Sequence, residues 1–273
     1  MPNQSARCAV FRDLHASGCF VIPNPWDVGS CRYLEQLGFK ALATTSAGFA
    51  FARGLADGAV PMPEMLAHIA EIVAATELPV NADFGNAFAD EPEGVSRNVK
   101  ACTDTGVAGL SVEDATGREA NPLYEFSLAV ERVRAARKAI DESGTGVLLT
   151  ARAECYLVNH PEAFRESVRR LQAYVEAGAD VLYAPGVTKR EEMQGIVSAV
   201  APKPVNVLMG SDTGLRVSDL AEMGVRRISV GSSLARAAWT GFIRAAKEIA
   251  ESGSFGGFRE LVPYGELNGF FQR

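Results

Sequence analysis

Eight short β-rich segments recur along this chain, and segments with a helical pattern lie between them. The β-rich segments are continuously apolar rather than alternating, which is typical of strands buried on both faces of a parallel sheet. Eight strand–helix repeats favour parallel strands with right-handed crossovers, and eight such units close into a barrel. The predicted strands are residues 19–23, 41–46, 79–84, 109–114, 146–153, 180–184, 204–209 and 227–230.

The length of 273 residues suits one closed α/β barrel, which typically needs about 250 residues. We therefore predict that residues 1–273 form a single (β/α)₈ TIM-type barrel domain, with outer helices such as 62–76 and 127–140. An extra helix is predicted over about residues 5–17, and a helical tail, residues 255–273, is expected to cap the barrel or to contact another subunit. An open doubly wound sheet is disfavoured because no GxGxxG motif follows the first strand.

The composition indicates which kind of partner the protein binds and in which cellular compartment it is found. The net charge of −6 argues against nucleic acids and anionic membranes as partners, since both select clustered Lys and Arg. Five cysteines without a CxxC pair are typical of reduced thiols in the cytosol. No apolar run approaches the roughly 20 residues of a membrane helix. We expect a cytoplasmic protein that binds a small molecule.

Carboxylates follow two neighbouring predicted strands, at the end of a barrel where active sites lie. Asp83 ends the third strand and Glu113 lies near the end of the fourth. Two close carboxylates repel each other unless a cation neutralises them, and oxygen ligands suit Mg²⁺ or Mn²⁺. The alternative is that both carboxylates pair with Arg152, at the end of the fifth strand, in a structural network.

Seven stretches of sequence resemble, in order, the isocitrate lyase/phosphoenolpyruvate mutase superfamily. The resemblance covers residues 20–250 and is strongest to short bacterial members that lack the catalytic Cys loop. It implies a TIM barrel, a divalent metal ion and lyase or mutase chemistry on a small carboxylate. The stretches are TTSAGFAFARGLADG, PVNADFGNAF, AGLSVEDATG, LTARAECYL, ADVLYAPG, KPVNVL and GVRRISVGSSLARAA.

The resemblance also implies roles for individual residues. Ser46, Ala47 and Gly48 match a loop that holds the carboxylate and carbonyl of a 2-oxo acid, and Asp57 matches the acid of a mobile segment. Arg152 matches an arginine that binds the substrate. Taken with Mg²⁺, these groups would stabilise an enolate oxygen.

Five further residues complete the predicted site. Asp83 and Glu113 match metal ligands, and Asn206 matches a polar residue at the rim of the seventh strand. From their positions at strand ends, we add Trp26 as a substrate-binding residue and Tyr183 as a proton donor.

Two departures from the family pattern bear on the reaction. Asn81 stands where an acid is common, and the segment 115–123 has neither the Cys nor the His of the isocitrate lyase loop. A retro-aldol cleavage needs a base, for which this segment offers only Glu119, whereas a decarboxylation needs only charge stabilisation and a proton. We therefore favour a decarboxylase-like lyase over methylisocitrate-like cleavage. Phosphonopyruvate mutase or hydrolase chemistry, and a non-catalytic barrel that binds a dicarboxylate, remain alternatives.

The resemblance implies assembly as well. Members of this family commonly form tetramers by exchanging a C-terminal helix between paired subunits. Four phenylalanines in the tail would leave an apolar surface in a monomer: Phe255, Phe258, Phe270 and Phe271. We therefore predict a homodimer or a homotetramer.

Overall fold

Eight parallel strands form one sheet in the computed structural model, which describes residues 3–272. The strands follow the order β1-β8-β7-β6-β5-β4-β3-β2, which confirms the predicted barrel architecture. They are β1 (Phe20–Ile22), β2 (Leu42–Ala43), β3 (Val80–Asp83), β4 (Gly109–Glu113), β5 (Leu148–Arg152), β6 (Val181–Tyr183), β7 (Val205–Leu208) and β8 (Arg227–Ser229).

The sheet is nearly closed, and its seam lies between β1 and β2. The Ala43 amide donates to the Pro23 carbonyl oxygen at 3.0 Å across this seam. The buried Asn24 side chain reinforces it, because its Nδ2 donates to the Thr44 carbonyl at 2.9 Å and its Oδ1 accepts from the Gly231 amide at 2.9 Å. One amide therefore joins the carboxyl ends of β1, β2 and β8.

Nine helices of the barrel unit are described. The predicted helices 5–17, 62–76 and 127–140 correspond to the first, fourth and sixth of them. The helices are α1 (Gln4–Ala16), α2 (Val28–Gln36), α3 (Ser46–Ala52), α4 (Met62–Ala74), α5 (Pro92–Thr103), α6 (Phe126–Ser143), α7 (Ala163–Glu176), α8 (Arg190–Val200) and α9 (Val217–Glu222).

The prediction for the second strand was wrong at its carboxyl end. The segment 41–46 was expected to be a strand, but β2 ends at Ala43 and α3 begins at Ser46. Thr45 is the N-cap of α3, and its hydroxyl accepts a hydrogen bond from the Gly48 amide at 3.2 Å. Threonine favours both strands and helix caps, and here capping ends the strand.

Helix α1 lies across the amino ends of the strands and closes that end of the barrel. Phe11 on α1 is fully buried. A Cβ atom on Gly109 would lie 2.6 Å from Phe11 Cε1 and 2.8 Å from Asn81 Oδ1. Glycine is therefore required at the start of β4 so that Phe11 and Asn81 can pack inside the barrel.

The chain divides into two compact units, residues 1–232 and 233–273, of which the second contains α10 (Ser233–Ser252), a 3-10 turn (Gly256–Phe258) and α11 (Tyr264–Phe271). Glu248 orders the second unit, because its carboxylate accepts from the amides of Gly256 and Gly257, both at 2.7 Å. The prediction of one domain over 1–273 stays a prediction, and Met1, Pro2 and Arg273 lie outside the described residues.

The second unit presents many large apolar side chains on its surface. Phe242 is 61% exposed, Phe255 is 63% exposed and Tyr264 is 84% exposed. The predicted helical tail is present, since α11 and the 3-10 turn fall within residues 255–272. Across residues 3–272, none of the helices combines the length and apolarity needed to span a bilayer.

Candidate active site

A cavity of about 140 Å³ opens at the carboxyl ends of the barrel strands. Its walls bring together seven of the predicted site residues: Ser46, Ala47, Asp57, Asp83, Arg152, Tyr183 and Asn206. The predicted residues Trp26, Gly48 and Glu113 are not among its described lining residues. The cavity is smaller than the roughly 300–1,000 Å³ of common ligand sites, so it suits a small acid.

Arg152 is the centre of an ion-pair network at the ends of β3, β4 and β5. Its Nη1 lies 2.7 Å from Asp83 Oδ1, its Nη2 lies 3.1 Å from Glu113 Oε2 and its Nε lies 2.8 Å from Glu154 Oε1. Each guanidinium nitrogen therefore contacts a different carboxyl group. The pairing of both carboxyl groups with Arg152, which was the alternative to a metal site, is therefore present. Glu113 contacts Arg152, which lines the cavity, but Glu113 is not itself among the described lining residues.

Burial and charge shift the acid–base properties of this network. Burial, together with the charges of Glu154 and Asp83, raises the pKa of Glu113 to about 8 against the opposing charge of Arg152. Burial also raises the pKa of Glu154, against the opposing charge of Arg152. For Arg152, burial lowers the pKa, but the carboxylates of Glu154, Glu113 and Asp83 outweigh it, so the guanidinium stays charged.

A second set of buried groups holds Glu154 in place. The Glu154 amide donates to Asp114 Oδ1 at 2.8 Å. The other oxygen of Asp114 accepts from Arg170 Nη1 at 2.9 Å and from the Tyr174 hydroxyl at 2.6 Å. Because Asp114 is fully satisfied, it fixes the turn that follows β5 and carries Glu154 toward Arg152.

The first turn of α3 lies beside Asp83. The Ser46 amide and hydroxyl donate to Asp83 Oδ2 at 2.9 and 2.8 Å. The stretch Ser46–Gly48, expected to be a substrate-binding loop, is therefore a helix start whose Ser46 amide contacts Asp83. Asp57 lies at the exposed edge of the cavity, where partial burial and the charge of Asp83 raise its pKa.

Polar groups also cover the wall formed by β6, β7 and β8. Asn206 Nδ2 donates to Ser229 Oγ at 2.9 Å, and Ser229 Oγ donates to the Tyr183 hydroxyl oxygen at 3.4 Å. Asn206 Oδ1 accepts from Arg227 Nε at 2.9 Å. Burial raises the pKa of Tyr183 to about 12, so its hydroxyl keeps its proton and can donate it.

The segment that replaces the catalytic Cys loop is folded on itself. Ala115 and Leu123 form an antiparallel bridge, and the Thr116 hydroxyl donates to the Asn121 carbonyl at 2.5 Å. Glu119 is exposed and is not a described lining residue of the cavity. The segment therefore brings no carboxylate base to the site in this conformation.

Cys155 lies close to the rim in sequence but packs away from the cavity. Its side chain is fully buried, and burial raises the pKa of the thiol to about 11. The thiolate is the nucleophilic form, so this environment makes Cys155 unreactive.

Oxygen atoms of side chains that line the cavity could hold a hard cation. Asn81 Oδ1 is buried and has no hydrogen-bond partner, and Asn81, Asp57 and Asp83 all line the cavity. Among residues 3–272, no three His, Cys, Asp or Glu side chains lie close enough together to hold a metal ion by themselves. Mg²⁺ commonly uses one or two carboxylates and several waters, so the donors present fit it.

Arg227 and Glu154 are the charged site residues that our sequence reasoning left without a role. Arg227 opens β8 and is 3% exposed, and it lines the cavity together with Ser229, two residues later. The sequence did contain a signal for Arg227, which is a charged residue at the start of an apolar strand. Side chains of a strand alternate between its two faces, so Arg227 shares a face with Ser229. Glu154 gave no comparable signal, since it follows the strand in a turn.

Comparisons with known proteins show which family this chain is similar to. A family model described as phosphoenolpyruvate phosphomutase matches residues 11–250. A solved protein of Burkholderia cenocepacia J2315, assigned only provisionally to the lyases or mutases, is 45% identical with a TM-score of 0.95, covering 99% of this chain and 98% of its own.

Two curated enzymes are similar at lower identity. The 2-methylisocitrate lyase of Shewanella oneidensis is 28% identical over 80% of this chain and 76% of its own length. The oxaloacetate decarboxylase of Pseudomonas putida (strain GB-1) is 28% identical over 84% of this chain and 79% of its own.

Proposed function

Because the chain belongs to the phosphoenolpyruvate phosphomutase family of the isocitrate lyase/phosphoenolpyruvate mutase superfamily, we propose that it is a Mg²⁺-dependent carbon–carbon lyase. Its substrate is a small 2-oxo acid, and we favour decarboxylation of an oxaloacetate-like acid. The observation that carries this choice is the make-up of the cavity wall. Ser46, Asp57, Asp83 and Arg152 meet there, whereas the segment 115–123 contributes no base and no thiol.

The chemistry requires little from the protein beyond charge and a proton. The bond between C3 and the leaving carboxylate breaks, CO₂ departs, and the electron pair remains on the three-carbon product as an enolate. Arg152 provides positive charge beside the developing oxyanion, while the Ser46 N–H group holds Asp83 in place. Tyr183, whose hydroxyl stays protonated, is our candidate to protonate C3 and give the 2-oxo product.

Oxygen donors support the metal in this proposal. Asp83 and Asp57 are the carboxylates on the cavity, and Asn81 Oδ1 is an acceptor without a partner. Mg²⁺ or Mn²⁺ would supply positive charge to the 2-oxo group. Glu113, predicted as a ligand, stays a prediction, because it contacts Arg152 and does not line the cavity.

The metal assignment predicts the outcome of one substitution. We expect Asp83→Ala to abolish calorimetric Mg²⁺ binding, since it removes a carboxylate from the cavity. Glu93→Ala on the outer helix α5 is a control that should bind Mg²⁺ as the wild type does. Unchanged binding in Asp83→Ala would refute the assignment.

Two similar enzymes support a small carboxylic acid as the substrate. One relative is an oxaloacetate decarboxylase and another is a 2-methylisocitrate lyase. The small cavity and the absence of a base in the segment 115–123 favour the first reaction over the second.

Turnover of a panel of acids tests the proposal directly. Oxaloacetate, 2-methylisocitrate and phosphonopyruvate should each be offered with Mg²⁺ and with a chelator. We expect metal-dependent release of CO₂ from oxaloacetate. Cleavage of 2-methylisocitrate or of phosphonopyruvate alone would replace the decarboxylase assignment, and no turnover of any member would favour a barrel that only binds its ligand.

A further inference from the structure

Two arginines line the cavity, and their surroundings differ in charge. Arg152 contacts three carboxyl groups. Arg227 makes no ion pair with any described carboxylate, and its hydrogen-bond partners are Asn206, Thr150 and His15. The positive charge of Arg152 is therefore already matched within the protein, whereas that of Arg227 is not.

The partners of Arg227 are neutral. Nε donates to Asn206 Oδ1 at 2.9 Å and Nη2 donates to Thr150 Oγ1 at 3.0 Å, while Nη1 lies 3.5 Å from His15 Nε2. Burial and the charge of Arg227 lower the pKa of His15 to about 3, so this imidazole is uncharged near neutral pH. A guanidinium has five N–H groups, so these contacts leave donors unused.

Burial makes this isolated charge costly. Arg227 is 3% exposed, and a buried ion without a counter-ion loses its hydration with no compensating attraction. Burial also lowers the pKa of Arg227 to about 10, so the group remains a cation near neutral pH. An anion that entered the cavity would provide the missing counter-charge.

The position of Arg227 defines the part of the cavity involved. It lies two residues before Ser229 on β8, which places it deeper in the barrel than Ser229 at the strand end. Tyr183 contacts two parts of the wall, because Arg152 Cζ lies 5.3 Å from its ring centroid and Ser229 donates to its hydroxyl. The cavity thus has two cations in its wall, Arg152 at the end of β5 and Arg227 at the start of β8.

We propose that Arg227 binds the second carboxylate of the oxaloacetate-like substrate at the floor of the cavity and thereby selects a short dicarboxylate over a monocarboxylate. This inference rests on the proposed function, in which the 2-oxo end lies beside Asp83 and Arg152. Asn206 and Ser229 are then positioning residues for the floor: Asn206 Oδ1 holds the guanidinium, and Asn206 Nδ2 orients Ser229.

A matched pair of stable ligands tests the inference. (S)-Malate and (S)-2-hydroxybutyrate differ only in a terminal carboxylate against a methyl group, and pyruvate reports on the other end of the site alone. We expect the wild type with Mg²⁺ to bind malate about ten- to a hundredfold more tightly than 2-hydroxybutyrate, the scale of one charged hydrogen bond. Arg227→Met should abolish that preference and leave pyruvate binding within about threefold.

Arg7→Met is the matched control. Arg7 is also buried, but it donates to the carbonyls of Val73 and Thr76 and does not line the cavity. We expect Arg7→Met to lower the Tm and to keep the malate preference. Arg227→Gln, which keeps a polar group at this position, gives the same binding test if Arg227→Met does not fold.

The outcomes separate this inference from the proposed function. If the wild type binds pyruvate but does not prefer malate, or if the neutral variants keep the preference, Arg227 is structural and the inference is overturned while the proposed function stands. If the wild type binds neither pyruvate nor malate, the proposed function itself fails.

Discussion

Replacing Arg152 with lysine keeps the charge but removes the planar fork that holds three carboxyl groups. In the wild type Nη1, Nη2 and Nε each contact a different partner, namely Asp83, Glu113 and Glu154, at 2.7, 3.1 and 2.8 Å. A lysine ammonium is a single point of contact and cannot reach all three. We therefore expect at least two of these contacts to be lost.

The magnitude follows from burial. The four side chains are 14%, 19%, 21% and 4% exposed, so solvent screens their interactions only weakly. Each lost charged hydrogen bond costs about 1.5–3 kcal/mol, which gives about 3–6 kcal/mol for two. For a chain of this size that loss corresponds to a Tm decrease on the order of 10 °C.

Denaturation in urea, followed by circular dichroism, measures this loss. Arg165→Lys is the control, because Arg165 and Glu162 form a surface pair at 3.3 Å with exposures of 82% and 62%. We expect the control to change the free energy of unfolding by less than about 0.5 kcal/mol. A cost below about 1 kcal/mol for Arg152→Lys would refute the view that the fork organises the site.

Three further predictions concern pH, the thiol and assembly. Burial lowers the pKa of His68 to about 4, below its value of about 6.5 in the unfolded chain, so the unfolded state binds the proton first as pH falls. His68 should therefore lower the free energy of unfolding by about 2 kcal/mol at pH 5 relative to pH 7. Urea titrations of His68→Phe should show a smaller loss of stability between these two pH values. A loss equal to that of the wild type would contradict this. Cys155→Ala should keep most activity on whichever acid turns over, and a hundredfold loss would show that the thiol takes part. Light scattering at micromolar concentration should give a dimer or tetramer, since the second unit exposes many apolar side chains, and a monomeric mass would refute this.

The sequence alone determined the architecture, because the signals for it are local and repeated. Continuous apolar strands, amphipathic helices and eight repeats leave few alternatives to a closed parallel barrel. The same reasoning placed Asp83, Arg152 and Tyr183 at strand ends, since strand direction fixes which end carries the site. The ends of the strands were predicted less accurately than their order. Thr45 shows the reason, because a residue that favours a strand can also cap the next helix.

Contacts between distant residues were decided only by the tertiary structure. The sequence left open whether Asp83 and Glu113 face a metal or pair with Arg152, since the partners lie 69 and 39 positions away from that arginine. The structure brings all three together, and of the two carboxylates only Asp83 lines the cavity.

Arg227 shows the same limit most clearly. Its sequence position indicated a strand, but nothing local could tell whether a carboxylate would lie near its guanidinium. Its neighbours come from α1, β5 and β7, and all of them are neutral. Electrostatic energy depends on distance in space and on burial, and neither quantity is fixed until the barrel has closed.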